Sequence, residues 1–195
     1  MKNSGQIFSE GDLQNSLKTL KQGGVILYPT DTVWGLGCDA TNRAAVEKVM
    51  KIKGRTGNKS LIVLVNSIDM LSRLVKEIPS TALDLINVSD SPLTIIYPSG
   101  KNLAEGICGE DGSAGIRICN EPFCNELITR FRRPLVSTSA NFSGSPAPAF
   151  FGEIDSELIK QVDYTVEYRQ NDRQKYNPSP VISIDKNGVL KILRK

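Results

Sequence analysis

Residues 28–40 read YPTDTVWGLGCDA, and the way the chain enters and leaves this stretch decides the fold. The apolar run Val25-Ile26-Leu27-Tyr28 leads in as a strand, and Pro29, which has no N–H for a sheet ladder, ends it. Two threonines flank Asp31, and Trp34 is set against Gly35-Leu36-Gly37, a loop with far more specified shape than a solvent turn requires. Gly35 to Ala40 spell G-x-G-x-x-A, but Pro29 to Trp34 intervene between strand and glycines, and no acidic residue follows at a second strand end. The dinucleotide reading therefore fails, and the glycines are expected to make a tight turn.

Outward from this loop, strand and helix signals alternate. Upstream, residues 12–22 place Leu13, Leu17 and Leu20 on one helical face, stopped by Gly23-Gly24. Downstream, residues 42–53 form a second helix with Val46, Val49 and Met50 on one face and Gly54 at its end. LIVLV (61–65) is a continuous apolar run, as expected of a strand buried on both faces. Ser67 is placed to cap a helix bearing Met70, Leu71, Leu74, Val75 and Ile78, stopped by Pro79. LTIIY (93–97) and AGIRI (114–118) read as strands around a glycine-rich stretch, and Pro122 opens a helix carrying Phe123, Leu127, Ile128 and Phe131. LVSTS, VDYTV (162–166), VISI (181–184) and VLKIL (189–193) are further strands, the last two joined by a hairpin turn at Asp185-Lys186-Asn187-Gly188. Helices between strands, with hairpins as well, predict an α/β fold with a mixed sheet in a single domain, residues 1–195.

Composition excludes several chemistries. The 195 residues are 39% hydrophobic and 23% charged, with a net charge of +3 that suits an anionic small molecule and is too mild to imply nucleic acid. No stretch approaches the ~18 apolar residues of a membrane span, and no basic-then-apolar leader opens the sequence, so a cytoplasmic protein without a membrane partner is expected. Cys38, Cys108, Cys119 and Cys124 form no C-x-x-C pair and are expected to stay reduced. There is no histidine at all, which removes Ser-His and Cys-His nucleophile pairs and the common zinc sites; no metal site is expected. Chemistry falls to Lys, Arg, Ser, Thr, Asp and the backbone.

Three places suit that chemistry. Lys53-Gly54-Arg55-Thr56-Gly57-Asn58-Lys59 puts three cations in seven residues. It is either a solvated loop or a clasp for a carboxylate or phosphate, with Arg55 able to bind in bidentate fashion. It is not a P-loop, because Asn58 stands where glycine must precede the lysine and the order is helix–loop–strand. Residues 137–144 (STSANFSG) carry five hydroxyl or amide side chains, either a turn with a helix cap or a cradle for a polar ligand. Arg117, inside the apolar run AGIRI, either snorkels from an edge or points into an anion site. Ser179 and Arg194, near the last two strands, are unremarkable alone.

Taken in order, these pieces resemble the YrdC family of threonylcarbamoyl-AMP synthases. PTDTVWGLGCDA is similar to that family's PTETVYGLG segment, KGRTGNKSLIVLV to its K-x-R run before a buried strand, and LVSTSANFSGSPAP to its STSAN-x-SG-x-P stretch. AGIRI and the tail PSPVISIDKNGVLKILR keep the family's order, so the resemblance spans about residues 10–194. It implies an open, twisted sheet of mixed parallel and antiparallel strands, flanked by helices around a basic cavity. It also implies a reaction of L-threonine, bicarbonate and ATP, with Mg2+ riding on the nucleotide, to threonylcarbamoyl-AMP and pyrophosphate. The product serves a tRNA threonylcarbamoyl-transfer complex, with weak direct contact to RNA. By resemblance, Lys53 and Arg55 are the catalytic cations, and Arg55, Lys59, Ser139, Asn141 and Arg194 bind ATP. Thr32, Arg117, Ser137 and Ser179 bind threonine. Three departures fall on the expected pocket walls: Val88-Ser89-Asp90-Ser91-Pro92 replaces W-P-G-P, Ser179-Pro180-Val181 replaces S-T-V, and Ala147 replaces a serine. The alternatives are a non-catalytic RNA-binding module of the same fold, disfavoured by aromatics of only 6% that do not interleave with cations, and a YciO-type paralogue acting on another substrate.

Overall fold

The computed structural model describes residues 8–54 and 61–195. Among them nine strands form one sheet. In chain order they are β1 (Ile26–Tyr28), β2 (Gly35–Gly37), β3 (Ile62–Val65), β4 (Thr94–Tyr97), β5 (Ala114–Ile118), β6 (Leu135–Ser139), β7 (Tyr164–Thr165), β8 (Val181–Ile184) and β9 (Leu190–Arg194). Across the sheet the order is β7-β1-β2-β6-β3-β5-β4-β8-β9. The pairs β1/β7, β3/β5 and β4/β8 are parallel and the other five antiparallel, so the expected mixed sheet is present.

Among the described residues six α-helices accompany it: α1 (Glu10–Lys21), α2 (Arg43–Ile52), α3 (Ile68–Ser72), α4 (Ser80–Val88), α5 (Pro122–Phe131) and α6 (Ser156–Ile159). Their ends follow local chemistry. Ser9 Oγ accepts from Asp12 N, Asn42 Oδ1 from Ala45 N and Ser67 Oγ from Met70 N, each satisfying an orphan donor of a first turn. Glu121 caps α5 by accepting from Cys124 N, Pro122 supplies a ready-made first-turn φ, and Arg132 closes the helix in the left-handed region.

Side-chain alternation sorts the sheet into two cores. On one face Leu27, Leu36, Val63, Val65, Ile95, Ile116 and Ile182 pack with Val46, Val49 and Ile52 of α2 and Leu71 of α3. On the other, Ile26, Tyr28, Leu64 and Leu135 pack with Leu13, Leu17 and Leu20 of α1 and Phe123, Leu127, Ile128 and Phe131 of α5. The registers Gly35↔Ser139, Ile62↔Ser137, Ile62↔Gly115 and Leu64↔Arg117 put Gly35, Ser139, Ser137, Gly115 and Arg117 on this second face too. Apart from Ile62, the strands there carry small, hydroxyl or charged residues, which offer a helix little apolar surface.

Several elements differ from expectation. Gly35-Leu36-Gly37 is a sheet strand, not a tight turn. A Cβ on Gly37 would stand 2.5 Å from Tyr28 Cε1 and 3.1 Å from the Val136 carbonyl oxygen, so the glycine admits a neighbouring ring. The helix expected over 67–78 ends at Ser72. Lys101 N donates to Leu74 O and Lys76 N to Ser99 O, and these bonds claim the backbone that further helical turns would use. Pro79, expected to stop a helix, instead precedes α4, whose only buried residue is Ala82 and whose apolar pattern is correspondingly faint. The strand expected over 162–166 is reduced to Tyr164–Thr165.

Gly37→Ala places a methyl group into the Tyr28 ring and should lower unfolding stability by about 1–3 kcal/mol, read as a reduced urea midpoint with unchanged slope.

Candidate active site

A cavity of about 320 Å³ opens where the second face lacks helix cover, a size suited to a small-molecule site. The loop after β1 contributes Thr32, Val33 and Trp34, and β2 contributes Gly35. Arg117 comes from β5, Ser137 to Ser139 from β6, and Pro178, Ser179 and Arg194 from the last strands and the approach to them. Among the described lining residues there are two arginines, five bearing hydroxyls and no carboxylate.

Arg117 is the most constrained of these groups. It is 4% exposed although it stands within a strand. Its Nη2 lies 3.0 Å from Asp31 Oδ1, and its Nη1 donates to Ser179 Oγ at 3.1 Å. Among the described residues Nε has no hydrogen-bond acceptor. Ser179 Oγ also meets Thr94 Oγ1 at 2.8 Å, so a buried chain Thr94–Ser179–Arg117–Asp31 crosses the base of the cavity. Arg194 donates from Nε to the Ser179 carbonyl oxygen at 2.9 Å. Partial burial, and then the charge of Arg117 nearby, hold Arg194 below the usual arginine range. Two cations close enough to repel are stabilised together by an anion between them.

The loop bearing Thr32 is fixed from within. Thr30 Oγ1 donates to Val33 O at 2.8 Å and accepts from Thr32 N at 3.0 Å, and Thr32 Oγ1 lies 3.0 Å from Thr30 Oγ1. Trp34 is 3% exposed, its ring 4.8 Å from that of Phe151 and tilted 54° to it. Its carbonyl accepts from Ala140 N, which ties this loop to the one after β6.

Lys53, at the end of α2, lies beneath the β6 loop rather than among the lining residues. Its Nζ donates to Ser139 O at 2.6 Å and Asn141 O at 2.8 Å. Ser139 Oγ donates to Asn141 Oδ1, and Asn141 Nδ2 donates to Ser145 O at 2.6 Å, so the STSAN segment is held as one unit. The structure thus brings Thr32, Arg117, Ser137, Ser139, Ser179 and Arg194 to one hollow, with Lys53 and Asn141 bracing its wall. Arg55 and Lys59 lie outside the described residues.

Sequence reasoning missed Asp31, Thr94, Ile62 and Pro178. The signal for Asp31 was present, an acid between two threonines in a specified loop, but its partner is 86 positions away, since 117 − 31 = 86. Of the departures, Ala147 lines the cavity and Pro180 follows the lining residue Ser179, whereas Ser89 to Pro92 line a second cavity of about 520 Å³.

Ser179→Ala removes an acceptor from Arg117 and a partner from Thr94, both buried. It should cost about 1–3 kcal/mol of unfolding free energy in denaturant titration.

Comparison with known proteins agrees with this geometry. The Sua5/YciO/YrdC family model, described as "Telomere recombination", matches residues 18–195. A threonylcarbamoyl-AMP synthase from Pseudoalteromonas translucida (strain TAC 125) is 36% identical over 155 residues, covering 78% of this chain and 83% of that protein. A crystal structure of P. abyssi Sua5 complexed with L-threonine superposes with a TM-score of 0.84 at 26% identity. It covers 95% of this chain and 54% of the Sua5 chain, so the present chain spans about half the length of that protein. E. coli YciO shares the fold at a TM-score of 0.82 and 23% identity, with 96% of this chain and 90% of that one covered. With a two-arginine hollow floored by these strands and a family match over nearly all its length, the chain belongs to the Sua5/YciO/YrdC family.

Proposed function

We propose that the chain is a threonylcarbamoyl-AMP synthase, a nucleotidyltransferase that joins L-threonine, bicarbonate and ATP and releases pyrophosphate. One observation carries the reading: two arginines and five hydroxyl-bearing residues, with no carboxylate among the described lining, surround one small hollow. Every reactant is anionic or carries an anionic group, so the dominant need is to hold like charges together.

Threonine's amine and bicarbonate give a carbamate and water, and a carbamate oxygen then displaces pyrophosphate from the α-phosphate of ATP. In this reading Arg117 holds the threonine carboxylate, and Thr32, Ser137 and Ser179 fit its amine and hydroxyl. Ser139 and Arg194 face the nucleotide, with Asn141 and Lys53 keeping the β6 loop in shape for it. Arg55 and Lys59 are assigned to the phosphates by family pattern alone. Magnesium belongs on the nucleotide's phosphates, where it offsets their charge; the hydroxyls and arginines of the cavity are no carboxylate cage for it. The chain's groups bind, orient and neutralise, and no histidine is called upon. The product would pass to the machinery that modifies tRNA.

A non-catalytic RNA-binding module fits less well, because the buried Arg117 is beyond the reach of a polymer's backbone.

Pyrophosphate release should require threonine, bicarbonate and ATP together, and a rate unchanged on omitting threonine rejects the reading. Arg117→Ala should weaken threonine binding by about 1.5–3 kcal/mol in calorimetric titration, with other amino acids as the specificity panel.

A further inference from the structure

We propose that Asp31 is a positioning residue for the amino-acid clamp: its carboxylate fixes the Arg117 guanidinium so that the remaining N–H donors face the substrate carboxylate. The inference rests on the assignment of that carboxylate to Arg117.

Asp31 and Arg117 stand on opposite sides of one wall. Arg117 lines the first cavity, while Asp31 lines the second, with Glu121, Asp90, Tyr168 and Arg169 around it. The 3.0 Å ion pair crosses the wall between side chains that are 4% and 13% exposed. Asp31 therefore grips the guanidinium from behind and leaves the substrate's space free. Of the five N–H donors of arginine one is used, on Ser179, while Asp31 acts on the guanidinium as an ion-pair partner at 3.0 Å.

Nor is Asp31 placed to swing away as a competitor. It sits in the turn that Thr30 closes through Val33 O and Thr32 N, and the Thr30 carbonyl accepts from Arg169 Nη1 at 2.9 Å. These bonds fix the backbone that carries the Asp31 carboxylate beside Arg117. Without it, Arg117 keeps a single neutral hydroxyl as acceptor in a buried setting, and its long side chain regains rotamer freedom.

The charge of Asp31 is also tied to pH. Burial pushes its carboxyl above the ordinary aspartate range, and Arg117 and then Arg169 draw it back. Besides Asp90, Glu121, Tyr168 and Tyr176 around the second cavity, the Cys119 thiol just past β5 and the Cys124 thiol on α5 also act on or feel it. A raised folded-state pKa means that the charge is lost on acidification sooner than for an exposed aspartate. Positioning that depends on this charge must fade over the same interval.

The test is calorimetric titration of L-threonine, and separately of ATP, into wild type, Asp31→Asn and Asp31→Ala between neutral and mildly acidic pH. Both variants should raise the threonine Kd about ten- to a hundred-fold and leave the ATP Kd unchanged. Wild-type threonine affinity should fall on acidification, and Asp31→Asn should be flat across that window. The near-isosteric asparagine decides the matter if the alanine variant does not fold. Unchanged or tighter threonine binding in Asp31→Asn overturns the proposal, as does parallel loss of ATP binding or a pH dependence that survives the substitution. Wild-type protein that binds no threonine overturns the assignment of Arg117, and this proposal with it.

Discussion

A guanidinium held 4% exposed in the middle of a β-strand is the constraint around which the rest of the molecule is arranged. Taking such a cation out of water costs several kcal/mol, and a well-packed aliphatic residue at the same position is usually at least as stable. Arg117 is nonetheless flanked by Ile116, 1% exposed, whose side chain joins the opposite core. The strand is stabilised through its other face, and that stability tolerates the charge. Asp31 and Ser179 offset part of the burial, and the unpartnered Nε shows that they do not offset all of it. A buried cation left partly unsatisfied is a group prepared to accept an anion.

The same logic explains why the hollow lies where it does. Neighbouring strands share a face at paired positions, so Gly35, Ser137, Ser139, Gly115 and Arg117 follow from registers set elsewhere by apolar residues. Helices α1 and α5 cover the part of this face that presents Ile26, Tyr28, Leu64 and Leu135. They have no apolar partner beyond it, and the uncovered remainder is the cavity floor. Gly35 contributes by what it lacks, since a Cβ there would reach 3.0 Å from Ser137 Oγ and intrude on the floor. Packing and site are thus two readings of one alternation.

Much of this was legible in the sequence because the strands carry contrast. AGIRI announces a charge in an apolar run, LVSTS changes from apolar to hydroxyl along its length, and both proved to be floor strands. The helices with caps and strong apolar faces, α1, α2 and α5, lie where their patterns predict. Legibility failed where the decisive partner was distant or the local signal weak. Glycines at 35 and 37 spell a turn locally, and pairing with the distant β6 as well as β1 makes them a strand. The segment after Ser72 has a helix's apolar spacing, but hydrogen bonds from residues 99 and 101 take its backbone. Asp31 looks like a loop acid until strand β5 brings Arg117 to it. Lys53 reads as a phosphate ligand, and the fold places its ammonium against two carbonyls of the β6 loop.

Depth also separates the readings of the cationic surface. A protein that holds nucleic acid nonspecifically needs cations at a rim, where they meet phosphates of a long chain and are screened by salt. Here Arg117 lies at the base of the cavity, behind Thr32 and Ser179, where solvent is largely excluded and each charge acts over a shorter, less screened range. An anion that reaches it enters a hollow that Arg194 also lines. Carboxylate and phosphate brought into one compartment repel each other in water; between two arginines they do not. The sequence has no histidine, and the groups that line the hollow offer charge and orientation rather than a side chain that ordinarily titrates near neutral pH.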